Sequence, residues 1–347
     1  MKKAHFATAC LHAVASTVIL LLASSIVCNA QFSTNGYDQA RIKWYSVDFP
    51  SYTIIYPENC DSLAFSYGKE LERYRVAEGI SSGLVPGIYN ARRTPVILHT
   101  CYGLSNGSVT WAPRRIDLYT LPQAYDPEPM PWIQNLAVHE SRHMAQMQFG
   151  YRGPLKVLTW LLGDMAQGAY SAIWPNTWLL EGDAVTAETA LTKAGRGRSA
   201  DFLEYYKTAF DEGDTRDWYR WRYGSFRHYT PDHYALGYMT VAGARYVYRD
   251  TLFTKRYFDR LATNPFRFWN TQKTLREASG QGFSDSFRTI RETFHSIWEE
   301  DVRKRGEETS YDFMEDTDSW YSEPYGIVET EGKIYAVISG LRESPVL

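Results

Sequence analysis

The sequence lacks several features that would quickly assign a chain of 347 residues to a class of proteins. Cysteine is scarce: after the first thirty residues only Cys60 and Cys101 remain, and neither has the Cys-x-x-Cys or Cys-His spacing typical of zinc ligands. Long basic runs are absent and the formal net charge is −3, so nothing indicates a nucleic-acid partner. In an exported protein the two cysteines could pair, but two free thiols fit the sequence equally well.

An apolar run opens the chain. MKK supplies positive charge, STVILLLASSIV is apolar, and CNA before Gln31 has the small residues of a cleavage site. This order predicts a signal peptide over residues 1–30 and an exported protein, either periplasmic, on the outer surface or secreted. The alternatives are an uncleaved anchor helix, for which the run is short, and a lipoprotein signal at Cys28, which Val27 fits poorly. Cleavage removes two lysines and no acidic residue, so the formal charge falls from −3 to −5.

The remaining chain is predicted to form an α+β lobe over residues 31–130 and a mostly helical lobe over 131–306. RIKWYSVDFPSYTIIYP is typical of two strands broken at Asp48–Ser51, and TPVILHTCYG of a third. DSLAFSYGKELERYRVAEGI predicts a helix with Asp61 or Ser62 as N-cap. GSVTWAPRRIDLYT alternates as one strand, and its internal Pro113 marks an edge or bulged strand.

Residues 307–347 return to strand character around a turn at Glu331-Gly332. This segment is predicted to begin a C-terminal β region. We therefore expect the chain to be a truncated piece with a β domain downstream, and a simple hairpin terminus is the alternative.

The stretch LKVLTWLLGDMAQGAYSAIW, residues 155–174, is nearly apolar. Lys156, Asp164 and two glycines argue against a membrane span. The pattern instead predicts a helical hairpin that is either buried or in contact with a membrane surface.

The stretch NLAVHESRHMAQMQFG contains His139-Glu140-x-x-His143. Four residues of helix are roughly 400° of rotation, so both imidazoles emerge on one face about 6 Å apart. There they can share a Zn²⁺ ion. Glu140 falls on the apolar face of the same helix, where an unpaired carboxylate is costly. A water molecule beside a metal would give this carboxylate a partner, and so would an arginine in an ordinary core.

A catalytic zinc needs three protein ligands and an open position. One large class takes the third ligand from a histidine six residues beyond the second, but Phe149 occupies that position, so this class is excluded. Between Met144 and Leu180 there is no glutamate, and Asp164 is the only carboxylate. The segment WLLEGDAVTAE, residues 178–188, then supplies two glutamates.

Together with the helix motif, this segment resembles the gluzincin zinc metallopeptidases, which carry W-L-x-E-G and a second glutamate seven residues after the first. The matching residues are Trp178, Leu179, Glu181, Gly182 and Glu188, with Leu180 where the family often has a polar residue. The chain most resembles an exported, bacterial-type member of this family. The resemblance implies a thermolysin-like α+β fold in which Glu181 completes a zinc site with His139 and His143. Glu188 would orient a ligand histidine.

The interval from His143 to Glu181 is wider than is usual in the family. Asp164 therefore stays an alternative third ligand. A solvated carboxylate near a helix start is the alternative explanation of Glu181.

In HYTPDHYALGYMTVAG a proline and an aspartate predict a helix beginning near His233. Aminopeptidase-type gluzincins carry Y-x-x-G at such a helix start, and the matching residues here are Tyr234 and Gly237. By resemblance Tyr234 supports the oxyanion, assisted by Tyr229, His228 or His233, and packing alone is the alternative. The chain has no G-x-M-E-N segment, so the resemblance does not extend to aminopeptidase specificity.

These features predict a zinc metallopeptidase, a hydrolase acting on a peptide or protein substrate. Glu140 would take a proton from water and return it to the leaving amine, and Tyr234 would donate a hydrogen bond to the oxyanion. The edge strand around Ser108–Ala112 would hold an extended peptide. The alternative is a catalytically silent binding or scaffold protein of the cell envelope. An intramembrane protease also uses this motif, but the motif helix is too polar for one.

Overall fold

The structure is a computed structural model that describes residues 38–83, 93–123, 130–224, 228–265, 267, 269–306 and 322–340. The predicted signal peptide lies outside these residues. Helices and a mixed sheet form the chain, which confirms the predicted α+β class. The strands are β1 Trp44–Asp48, β2 Tyr52–Pro57, β3 Thr94–His99, β4 Gly107–Trp111, β5 Arg114–Tyr119, β6 Ser322–Thr330 and β7 Lys333–Gly340. The helices are α1 Asp61–Ser82, α2 Trp132–Gln146, α3 Leu155–Leu162, α4 Asp164–Ile173, α5 Thr177–Leu191, α6 Ala200–Asp211, α7 Trp218–Tyr223, α8 His233–Val247, α9 Phe253–Thr263, α10 Asn270–Ser279 and α11 Phe283–Arg305.

The first five strands form one sheet in the order β1-β2-β3-β5-β4. The three central strands run parallel, and β1 and β4 are antiparallel edge strands. Burial alternates along β2 and β3 because successive side chains point to opposite faces. Ile54 and Val96 are fully buried in the core that also contains Tyr67 and Leu71 of α1. The sheet and α1 therefore build the first lobe, and α2 follows directly after it.

Two local predictions about this lobe were wrong. The segment predicted as a single strand is a hairpin, with Ala112 and Pro113 between β4 and β5, although β4 does lie at the predicted edge. The N-cap of α1 is Cys60, because the carboxylate of Asp61 instead accepts a hydrogen bond from Tyr56 Oη at 2.9 Å. Cys60 and Cys101 are free thiols.

The described chain from α2 to α11 contains helices and no strand. Helix α2 is buried along most of its length and packs against α1 and α5, and α5 packs against α8. The three helices α2, α5 and α8 carry His139, Glu140, His143, Glu181 and Tyr234, the first choices of the sequence for zinc binding and catalysis.

Helices α3 and α4 form the predicted helical hairpin, and much of its apolar surface is exposed. Trp160 is 82% exposed and Leu161 62% exposed. The other exposed apolar side chains are Val157, Leu158, Leu162, Met165 and Ile173. In the described residues we find no helix with the length and apolar character needed to cross a bilayer.

The last described segment is an antiparallel hairpin of β6 and β7, with its turn at Glu331 and Gly332 as predicted. Both turn residues have positive φ, at 53° and 72° respectively.

Candidate metal centre

Two histidines of α2 and one glutamate of α5 meet at a single point. The Nε2 atoms of His139 and His143 are 3.1 Å apart. Glu181 Oε2 lies 3.1 Å from the first and 3.2 Å from the second. The helical spacing predicted the histidine pair, and the structure adds Glu181 from a helix that crosses α2.

The outer nitrogen of each ring has its own hydrogen-bond acceptor. Nδ1 of His139 lies 2.7 Å from Glu188 Oε1, and Nδ1 of His143 lies 2.9 Å from Gln146 Oε1. Each Nδ1 can therefore carry the ring proton, which leaves the lone pairs of both Nε2 atoms facing the carboxylate of Glu181. Three electron-rich atoms in pairwise contact need a positive charge among them.

A single cation satisfies this arrangement better than protons do. One proton bridges only two of the three atoms, and protons on both Nε2 atoms would have to share one acceptor, Glu181 Oε2, while their two nitrogens stay 3.1 Å apart. A tetrahedral ion with ligands at about 2.0–2.2 Å separates its ligand atoms by roughly 3.3–3.6 Å, close to the observed distances. His139, His143 and Glu181 thus form a group that could hold a metal ion.

Carboxylates set the electrostatics of His139. Burial disfavours the charged ring, but hydrogen bonds to Glu181 and Glu188 raise the pKa of His139 to about 10. Burial opposes ionisation of Glu188, yet the charge of Arg196 and the hydrogen bond with His139 lower the pKa of Glu188 to about 2. Burial likewise opposes ionisation of Glu181, but the charge of the His143 ring and the hydrogen bonds with both histidines hold the pKa of Glu181 far below its usual value. Both glutamates are therefore ionised at neutral pH.

Glu140 lies beside this group without joining it. Its side chain is nearly buried, and Oε2 has no hydrogen-bond partner within the described part of the chain. Burial raises the pKa of the Glu140 carboxyl. The sequence left open that an arginine pairs with Glu140. The arginine of the same helix, Arg142, pairs instead with Asp183 and Glu78.

The edge strand β4 lies directly against Glu140. A Cβ added at Gly107 would stand 2.5 Å from Glu140 Oε1, so any side chain there would displace the carboxylate. Glycine at this position brings the backbone of the edge strand next to the candidate metal group.

Tyr234 of α8 forms another wall. Its ring lies 6.3 Å from that of His139, and the guanidinium of Arg196 sits 4.9 Å from its centroid. Burial and the nearby carboxylate of Glu181 raise the pKa of Tyr234, so its phenol keeps its proton at neutral pH. Tyr234 is thus a hydrogen-bond donor facing the cleft.

All of these groups open into one cleft of about 470 Å³. Trp111 of the edge strand and Met147, the residue after α2, line part of it. Leu180 of α5 and Ser171 of α4 also line it. The cleft therefore combines a polar centre with apolar walls.

Other residues that the sequence suggested lie elsewhere. Asp164 Oδ2 accepts a hydrogen bond from the backbone N–H of Arg114 at 3.2 Å and is outside the metal group. Glu181 is not a solvated carboxylate, because it contacts both histidines. Tyr229, His228 and His233 are not among the residues that line the cleft.

Three contributors were missed from the sequence: Arg196, Gln146 and Asp183. Arg196 Nη2 donates to Glu188 Oε1 at 2.6 Å. Gln146 is hydrogen-bonded to Nδ1 of His143 and donates to Asp183. Gln146 follows His143 by three residues, so helical spacing could have placed it on the same face. No sequence pattern pointed to Arg196.

No protein-family model matches the chain, and no curated protein matches it. The gluzincin resemblance therefore stays a prediction carried by the motifs.

Proposed function

We propose that the chain is an exported zinc-dependent peptidase of the gluzincin type. The observation that carries the proposal is the meeting of His139 Nε2, His143 Nε2 and Glu181 Oε2 within 3.2 Å of one another. Two imidazole nitrogens and a carboxylate are the ligand set of a hydrolytic zinc site, and zinc accepts such a mixture in tetrahedral geometry.

When bound, a zinc ion supplies Lewis acidity, which polarises a carbonyl group and makes water easier to deprotonate. Glu140 acts as the general base that takes the proton from the attacking water and returns it to the leaving amine. Its raised pKa suits this role, because a base works best when its pKa approaches the working pH. The unpartnered Oε2 of Glu140 is the atom free to accept that proton.

Tyr234 donates its phenolic proton in a hydrogen bond to the oxyanion that develops on the scissile carbonyl. Arg196 keeps two groups in position at once, because it binds Glu188 and stacks on the ring of Tyr234. Together these residues provide a hydrogen-bond donor in the same cleft as the base.

The substrate is proposed to be a peptide in extended conformation. The outer edge of β4 belongs to no strand pair in the described residues, so a peptide could add to the sheet there. Its backbone would then pass Gly107 and reach Glu140. The apolar walls at Trp111 and Leu180 would accept apolar side chains near the scissile bond.

A binding or scaffold protein that holds zinc without turnover is the second candidate. Both candidates share the metal group and differ in whether Glu140 transfers a proton. The buried Glu140 carboxylate, whose Oε2 has no hydrogen-bond partner among the described residues, favours the enzyme, because such a group is costly unless it has a function.

The test is to purify the chain without residues 1–30, measure its zinc content and follow hydrolysis of a broad peptide library by mass spectrometry. Glu140→Gln should keep zinc and fold but lose about 10²–10⁴-fold in rate, since the amide cannot accept a proton. Glu204→Gln, the same change at an exposed position, serves as the control and should keep the wild-type rate.

Absence of zinc from the wild type would overturn the proposal. Equal inertness of wild type and Glu140→Gln, with zinc in both, would favour the binding protein. Equal activity of the two would remove Glu140 from the mechanism.

A further inference from the structure

The two histidines of the candidate metal centre are held in different ways. Nδ1 of His139 faces the carboxylate of Glu188, to which Arg196 also donates, whereas Nδ1 of His143 faces the neutral side-chain amide of Gln146. The residue before Glu181 in α5 is Leu180, whose side chain has no hydrogen-bonding group. Its backbone carbonyl accepts from Gln146 Nε2 at 2.8 Å. Gln146 therefore joins the second ligand histidine to the helix that carries the third ligand.

The orientation of this amide follows from its neighbours. The two hydrogens of Gln146 Nε2 meet two acceptors, the carbonyl of Leu180 at 2.8 Å and Asp183 Oδ2 at 2.9 Å. A flipped amide would turn its oxygen toward both acceptors. The oxygen of Gln146 must therefore face Nδ1 of His143, which places the ring hydrogen on Nδ1 and directs Nε2 toward the metal group.

Asp183 is itself fixed by buried partners. Arg142 donates to its two oxygens at 2.7 and 2.9 Å, and Thr254 Oγ1 donates at 2.7 Å. Arg142 also donates to Glu78 Oε2 at 3.1 Å. Asp183, Arg142 and Thr254 are completely buried and Glu78 is almost so. The network spans α1, α2, α5 and α9, and Gln146 is the residue through which it reaches His143.

We propose that Gln146 is a positioning residue that fixes the tautomer and the ring orientation of His143 for metal binding, held in turn by Asp183 and Leu180. The inference rests on the proposed metal site. It goes beyond that site because it assigns the selection of a ligand tautomer to a buried glutamine.

Gln146→Met and Gln146→Glu separate positioning from a merely structural role. Methionine has a similar length but offers His143 no comparable acceptor. Glutamate keeps an oxygen for Nδ1 but loses both N–H donors and adds a charge beside Asp183, so it should be the less stable variant. Gln148→Met is a matched control, because Gln148 is also buried and, within the part of the chain that the structure describes, its side chain donates to the backbone carbonyl of Met144 and not to a histidine.

Zinc affinity is measured by competition with a chelator, using the metal ion alone. Loss of a residue that orients a ligand typically weakens metal binding by about 10–100-fold. We expect this loss for Gln146→Met, while Gln146→Glu should stay within about threefold of wild type and Gln148→Met should be unchanged. A merely structural role would give the opposite order, with Gln146→Glu the weaker binder, and that result would overturn the proposal.

Nitrogen-edited NMR of the histidine rings gives a second readout that needs no metal. A slowly exchanging proton on Nδ1 of His143, present in wild type and lost in Gln146→Met, supports positioning. Its absence in wild type overturns the proposal. If wild type has this proton but binds no zinc, the proposed function fails while the assignment of Gln146 to the ring orientation survives.

Discussion

Gly182 of α5 and Gly237 of α8 lie backbone against backbone. A Cβ added to Gly182 would stand 2.0 Å from the carbonyl carbon of Gly237, and one added to Gly237 would stand 1.9 Å from the carbonyl oxygen of Trp178. Glu181 directly precedes the first glycine, and Tyr234 lies about one helical turn before the second. The glycine of W-L-x-E-G and that of Y-x-x-G therefore belong to one helix crossing, which brings Glu181 and Tyr234 to the same cleft.

Gly237→Ala should damage both the fold and the site. Overpacking usually costs about 1–3 kcal/mol, and we expect the upper end or more because the clash is with backbone that cannot rotate away. The measurements are the free energy of unfolding in urea and the zinc content. Gly103→Ala is the control, because a Cβ there would meet nothing within 4 Å. Equal losses in the two variants would contradict the close helix crossing.

The parts of this molecule that the sequence predicts are those determined by local periodicity. Helix α2, the start of α8 and the break between β1 and β2 follow from patterns within about fifteen residues. His139, Glu140 and His143 follow because helix geometry alone places them together. Glu181 required a family resemblance, since it lies 38 positions after His143 in the sequence.

The remainder depends on tertiary packing. The alternation of GSVTWAPRRIDLYT continues through a tight turn, so the pattern does not reveal that Pro113 ends one strand. The N-cap of α1 was mispredicted because Tyr56, from a neighbouring strand, donates a hydrogen bond to the carboxylate of Asp61. Arg196 reaches Glu188 only because a 3-10 turn brings it back beside α5.

The third ligand can be assigned by two alanine substitutions. Glu181→Ala should abolish stoichiometric zinc binding, because it leaves only two ligands. Removing a group that merely orients a ligand costs about 10–100-fold in affinity, so we expect more than about 100-fold for a ligand itself. Asp164→Ala should retain zinc, because Asp164 contacts the backbone of Arg114 instead. Metal analysis after dialysis distinguishes the two, and the reverse pattern would move the third ligand to Asp164.

His99 predicts a pH dependence of stability that is independent of the metal group. Its Nδ1 lies 2.9 Å from Asp38 Oδ2 and its Nε2 lies 3.1 Å from Asp117 Oδ1. Burial disfavours the charged ring, but the hydrogen bond to Asp117 and the charge of Asp38 raise the pKa of His99 above 6.5. The resulting stabilisation is complete below the unfolded pKa and is lost as the pH rises through the folded pKa.

His99→Gln should therefore lower the melting temperature most under mildly acidic conditions. The gap to wild type should narrow once the pH rises above about 6.5, where the wild-type ring begins to lose its advantage. Thermal melts of both proteins from about pH 5.5 to pH 9 test this. A gap that stays constant or widens with pH would show that His99 contributes through packing and not through its charge.

The α3–α4 hairpin is predicted to contact a membrane surface. Trp160 is 82% exposed, and its apolar neighbours Val157 and Leu161 are 63% and 62% exposed. A cluster of this kind is more than scattered surface residues and marks an interaction site, and tryptophan favours the bilayer interface.

The wild-type protein should co-sediment with vesicles of phosphatidylethanolamine and phosphatidylglycerol. Burying one large side chain contributes about 1.5–3 kcal/mol, so Trp160→Ser should weaken binding by about tenfold or more. Trp269→Ser removes an equally large side chain, 66% exposed and outside the hairpin, and should bind as wild type does. Equal effects of the two substitutions, or no vesicle binding by wild type, would contradict the membrane contact of the hairpin.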